Sequence, residues 1–203
     1  CFNYFKDRLA RFYGTVVNLA IANDWMHKNP FAGIRFQEKE VIREVLTKEE
    51  IERMMCKEFA LPRLEYVRDV FIFCVFTGMA YVDVNNLRQE HIVRDNNDDL
   101  WIRKARQKTN NMCNIPLLKI PQLLMEKYKN HPLCTKTGAL LPVPSNQKMN
   151  SYLKEIADFC GIQKNLTTHT ARHTFATVVA LANGVSTVSY THLRAHETSL
   201  HLV

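Results

Sequence analysis

Residues 62–79, PRLEYVRDVFIFCVFTGM, constrain the fold more than any other stretch of the chain. The segment is apolar enough to be a core helix, since a helix hydrophobic on nearly all sides belongs in an interior rather than on a surface. Gly78 is placed to end it, because glycine adopts the left-handed cap conformation without steric cost. Such a helix needs other elements to cover it, so the flanking sequence has to supply them.

At LTKEEIERM, residues 46–54, a new helix starts, with Thr47 as N-cap and Glu50 three residues later completing a capping box. Beyond Gly78 the pieces HIVRD, LWIRKAR and NMCNIPLL, the first two separated by the polar turn NNDD, read as short strands of a small antiparallel sheet. Two helices follow, around residues 119–130 and 145–160, and THTARH opens a further one. Upstream, Phe5, Leu9, Phe12, Val16 and Leu19 recur at helical spacing until the Pro/Gly turn NDWMHKNPFAGI. The charged, poorly periodic RFQEKEVIREV at 35–45 reads as a linker, placing a domain boundary near residue 43. The expected fold class is mainly α with a small antiparallel β-sheet (α+β).

At 203 residues and 46% hydrophobic content, the chain can bury a core. It has no apolar run of about 18 residues, so no membrane helix is expected. The opening CFNYFKDRLARF distributes charge along an amphipathic helix, unlike a secretory signal. That helical pattern is already under way at Cys1, so the true N-terminus is expected upstream. Cys1, Cys56, Cys74, Cys113, Cys134 and Cys160 form no CxxC pair, which argues against a metal site. Nor do they resemble a secreted disulfide framework, and a reducing cytoplasm fits best. A net charge of +7 and a pI near 9.1 favour polyanions as partners; a merely solvated basic surface is the alternative.

Three stretches carry candidate chemistry. In THTARH, His169 precedes Arg172 by three residues and His173 by four, so a helix brings all three onto one face. Cations at a helix N-terminus are unfavourable unless an anion sits among them. Free N–H groups and an arginine fork suit a phosphodiester; His169 capping backbone and Arg172 pairing with a carboxylate is the other reading. Lys108, in RKARQKTNN, sits at a turn between strands, either as a solvated lysine or as a proton donor to a leaving hydroxyl. In FTGMAYVDVNNL a helix breaks at Gly78 and restarts with Asp83 facing back, which core packing with a capping carboxylate also explains.

Taken in order, TGMAYVDV, RQKTNN and HTARHTFAT resemble the boxes of the tyrosine recombinase (phage integrase) family: TGxRxxEL, a hairpin lysine and HxxRHTFAT. The resemblance runs over residues 1 to about 187. It implies a catalytic integrase domain from 43, preceded over 1–42 by the end of a helical core-binding domain that clasps DNA. The implied activity is site-specific recombination by transesterification through a 3′-phosphotyrosyl link, without metal or nucleotide cofactor. Double-stranded DNA is the implied partner, with a homo-oligomer on it, a synaptic tetramer in the full-length parent. By position, Arg172 stabilises charge on the non-bridging oxygens, His169 positions the phosphate and handles protons, and Lys108 protonates the leaving oxygen. His173 supports the helix start or Asp83.

The sequence departs from the family pattern twice. Ala80 stands where the first box carries arginine, as in a branch of integrases carried on conjugative transposons. A substitute cation is then expected, and Arg68, in line with Ile72, Val75 and Met79, is the candidate; a salt bridge to a neighbouring carboxylate is the competing role. The second departure concerns the nucleophile, since the family tyrosine would fall near position 205, beyond Val203. Tyr190 comes too early to replace it, and His196 matches the family's third-box histidine only by coincidence. Residues 188–198, VSYTHLRAHET, resemble translated adapter DNA of a sequencing library, so 188–203 is expected to be non-native read-through and the chain an inactive fragment of a longer integrase. Two other classes remain: a non-catalytic DNA-binding protein on the same scaffold, and a metal-free phosphodiesterase acting on RNA through His169, His173 and Lys108.

Overall fold

The computed structural model describes residues 2–30, 44–107 and 110–179, with side chains over 12–30, 44–107 and 110–178. The chain divides into two compact units, Cys1–Ile42 and Arg43–Val203. The first is described as one helix, α1 (Phe2–Ala22), followed by a turn. Phe12, Val16 and Leu19, part of the apolar spacing seen in the sequence, are exposed. Among the described residues of this unit, no second helix covers them.

The second unit is mainly α with a small antiparallel sheet, as the sequence predicts. Its helix α2 (Lys48–Cys56) begins with the expected capping box: Glu50 N–H donates to Thr47 Oγ1 at 3.3 Å and Thr47 N–H to Glu50 Oε2 at 2.7 Å. Helix α3 (Pro62–Thr77) is the core helix, with Leu64, every residue from Val67 to Val75, and Thr77 buried. Phe71 and Phe73 are fully buried, each removing enough apolar surface to contribute about 1.5–3 kcal/mol. Around α3 pack α2, α5 (Lys119–Tyr128), α7 (Asn146–Phe159) and α8 (Thr168–Thr174), the last running on as a π-helical turn over Phe175–Val179.

The helix restart expected after Gly78 is the short α4 (Tyr81–Asn85), whereas α6 (Pro132–Thr137) has no counterpart in the sequence reading. Strands β1 (Ile92–Arg94), β2 (Leu100–Ala105) and β3 (Met112–Pro116) form the sheet in that order, with Ile92, Ile102 and Ile115 in register across it. Gly78 closes α3 in the left-handed region at φ 65°, its N–H donating to Cys74 O. It also lets α8 come close, because a Cβ there would lie 2.4 Å from Phe175 Cδ1.

Candidate phosphate site between the sheet and helix α8

Alternation along a strand sends every second side chain to one face. On β2 that face carries Ile102 and Lys104, and Arg106 continues the same alternation into the turn; β3 adds Cys113 and Ile115. These residues form the floor of a small open pocket, about 20 Å³ in volume, walled by Gly78, Met79, Asp83 and Arg172. That is far below the roughly 300–1,000 Å³ typical of a pocket that engulfs a small molecule. Two arginines and a lysine among the residues lining a shallow opening suit an anion carried on a larger surface.

Each charged wall residue is held by a specific element. Arg172 Nη1 donates to Gly78 O at 3.2 Å, so the glycine that ends α3 also orients the arginine of α8. Asp83, buried on α4, accepts the Gln107 N–H at 3.0 Å. Helix α4 is in turn anchored by Tyr81, whose hydroxyl donates to Pro144 O at 2.8 Å; burial raises this phenol above its ordinary value and keeps it a donor. Lys104 Nζ stands 3.2 Å from His91 Nε2, and His91 Nδ1 accepts the Arg88 N–H.

The site differs from the sequence expectation in several ways. Of His169, Arg172 and His173, only Arg172 lines the pocket; His169 is exposed and His173 half-buried. Three of the first four N–H groups of α8 already have acceptors within the protein. Thr167 Oγ1 accepts from Thr170 N–H, Asn150 Oδ1 from Thr168 N–H at 3.4 Å, and Thr167 O from Ala171 N–H. A threonine capping box and one neighbouring amide therefore do much of the work expected of a phosphate.

Arg68, the candidate substitute cation, does not line the pocket. It pairs with Asp69 at 2.6 Å, and its Nη1 donates to the carbonyls of Met54, Met55 and Lys57, closing the C-terminus of α2. Asp69 also takes Lys127 Nζ and the Tyr128 hydroxyl, both at 2.7 Å, so the group is a buried structural cluster. The competing salt-bridge role is the one the structure has. Arg106, which sequence reasoning missed, is the second arginine at the pocket; the period of two through Ile102, Lys104 and Arg106 is the signal that could have found it. Lys108, Tyr190, His196 and the segment 188–203 lie outside the described residues. Among the described residues, no cluster of three His, Cys, Asp or Glu side chains could hold a metal ion, no helix is long and apolar enough to cross a membrane, and no tyrosine lines the pocket.

Residues 44–201 match the model of the phage integrase family. The fold is similar to that of a lambda integrase fragment, solved as a dimer bound to a COC′ core site, with a TM-score of 0.67 and 18% identity over 91% of this chain and 67% of that one. It is also similar to the Tn1549 transposon integrase in complex with circular intermediate DNA, at a TM-score of 0.64 and 13% identity over 91% and 68% of the two chains. A lambda integrase tetramer bound to a Holliday junction matches with a TM-score of 0.62 and 18% identity, over 91% of this chain and 56% of that one. At such identities the likeness is one of fold. Comparison with curated protein sequences gave no match.

Proposed function

This chain belongs to the phage integrase family, and from that premise we propose that its pocket grips one phosphodiester of duplex DNA at the point of strand exchange. The observation that carries the reading is Arg172 and Arg106 lining one shallow pocket from opposite elements. Two forked donors suit the two non-bridging oxygens of a phosphodiester, where negative charge grows as a fifth oxygen approaches phosphorus. Arg106 thus supplies the cation that Ala80 lacks.

In the proposed reaction of the parent recombinase, a tyrosine hydroxyl oxygen attacks phosphorus as its proton passes to His169, and the bond to the 5′-oxygen breaks. Lys108 gives its proton to that oxygen, leaving a 3′-phosphotyrosyl link that a second 5′-hydroxyl reverses. His169, exposed near the start of α8, faces the DNA side of this step, and His173 supports the helix. Residues 1–42 act as the end of a DNA-clasping helical domain. The DNA-bound dimer and tetramer of the lambda relative support duplex DNA as partner and a homo-oligomer as the working form.

A second reading, DNA binding without cleavage, is favoured for the 203-residue chain by one observation: no tyrosine stands among the described pocket residues. We therefore expect this polypeptide to bind DNA and leave it uncut. The test of the shared first step is duplex affinity. Arg172→Ala should weaken binding about tenfold and lower the log–log salt slope by about 0.9, the signature of one lost phosphate contact. An unchanged affinity and slope would remove the phosphate from the pocket.

A further inference from the structure

We infer that Gln107 is a positioning residue, clamped at two points by α4 so that Arg106 is held at the pocket; the inference rests on the phosphate-binding reading above. The first point is Asp83 Oδ1, which accepts the Gln107 N–H at 3.0 Å. The second is Asn86 Nδ2, which donates to Gln107 Oε1 at 2.8 Å. Asp83 and Asn86 are three residues apart, at α4 and its C-cap, and so lie on neighbouring turns of one side.

The backbone of Arg106 is fixed as well. Its N–H donates to Asn111 O at 2.9 Å and its carbonyl accepts the Asn110 N–H at 2.8 Å, closing the turn between β2 and β3. With both backbone groups engaged by the turn and the next residue engaged by α4, the direction in which the Arg106 side chain leaves the backbone is set. Helix α4 begins directly after Ala80, so the element lacking the family's arginine grips the one that presents a replacement. The Asn86–Gln107 bond is solvent-exposed, where an amide pair contributes little net stability, so its effect should be read in the placement of Arg106.

The experiment measures affinity of the chain for a labelled duplex DNA across a salt series, for Arg106→Ala, Gln107→Ala and the double variant. Arg106→Ala should bind about tenfold more weakly with a slope lower by about 0.9. Gln107→Ala should bind roughly three- to fivefold more weakly and lose part of the same slope, although it removes no charge, with its melting temperature unchanged. In the Arg106→Ala background the Gln107→Ala effect should fall below about 1.5-fold, because both changes disable one contact. The reciprocal swap of Asn86→Gln with Gln107→Asn should restore affinity. Independent, multiplicative effects, or a Gln107→Ala chain binding as wild type while Arg106→Ala does not, overturn the clamp alone. Wild-type binding by both Arg106→Ala and Arg172→Ala overturns the clamp and the phosphate reading together.

Discussion

Replacing Gly78 by alanine tests how the end of α3 builds the pocket. Two costs are expected. At φ 65° an L-residue with a Cβ is strained, by about 1–2 kcal/mol. The new Cβ would also sit 2.4 Å from Phe175 Cδ1 and 2.7 Å from Cε1, so the ring and the helical turn carrying it must move. Overpacking of this kind costs about 1–3 kcal/mol, giving roughly 2–5 kcal/mol in all. For a domain of this size that corresponds to a melting temperature lower by roughly 4–20 °C. Because Gly78 O also accepts from Arg172, duplex affinity should fall with stability. Calorimetry on Gly78→Ala, Phe175→Ala and the double variant separates the costs. With the ring gone, Gly78→Ala should retain only the backbone cost, leaving a coupling of about 1–3 kcal/mol. Melting of Gly78→Ala within about 1 °C of wild type, or strict additivity with Phe175→Ala, would refute the reasoning.

Arg68→Ala leaves Asp69 buried beside fewer partners and strips the α2 carbonyls of their donor; it should cost about 3–5 kcal/mol in chemical denaturation, a loss of fold rather than of chemistry. For Glu50, burial raises the carboxyl pKa, but hydrogen bonds from Lys164 and the Thr47 N–H outweigh it and hold the group below its ordinary 4.5. The folded value being depressed, this stabilisation is present above pH 4.5 and is lost as pH falls through the folded value. Glu50→Gln keeps the cap acceptor and should cost roughly 1 kcal/mol at neutral pH, a gap that closes on acidification; a gap constant with pH would contradict it. The Cys74 thiol, pushed up to about 12 by burial, should resist alkylation at pH 8 in the native state while exposed Cys56 reacts, as peptide mapping would show.

Much of the scaffold is legible from local signals. Gly78 as a helix stop, the Thr47–Glu50 box and the period-two strands each need only a few adjacent residues, and each holds. Helix α4 was legible only as a restart after the Gly78 break, and α6, of six residues, is too short for a helical period to register. Burial of Arg68 was legible from its position in line with apolar residues, but its purpose was not, since three of its acceptors are carbonyls at the end of another helix. The same holds for the start of α8, where Asn150 arrives from α7 to satisfy an N–H that local sequence leaves open. Arg106 lies within reach of the strand alternation that runs through Ile102 and Lys104.

The most direct test of the central claim is one gel experiment with the 203-residue chain, a nicked duplex DNA and a chelator, run first under native conditions and then in detergent. The account predicts a salt-sensitive shift that is weakened by Arg172→Ala and by Arg106→Ala, and that collapses in detergent to free, uncut DNA. A shift indifferent to both substitutions, or DNA cleaved without metal by this chain, would contradict it.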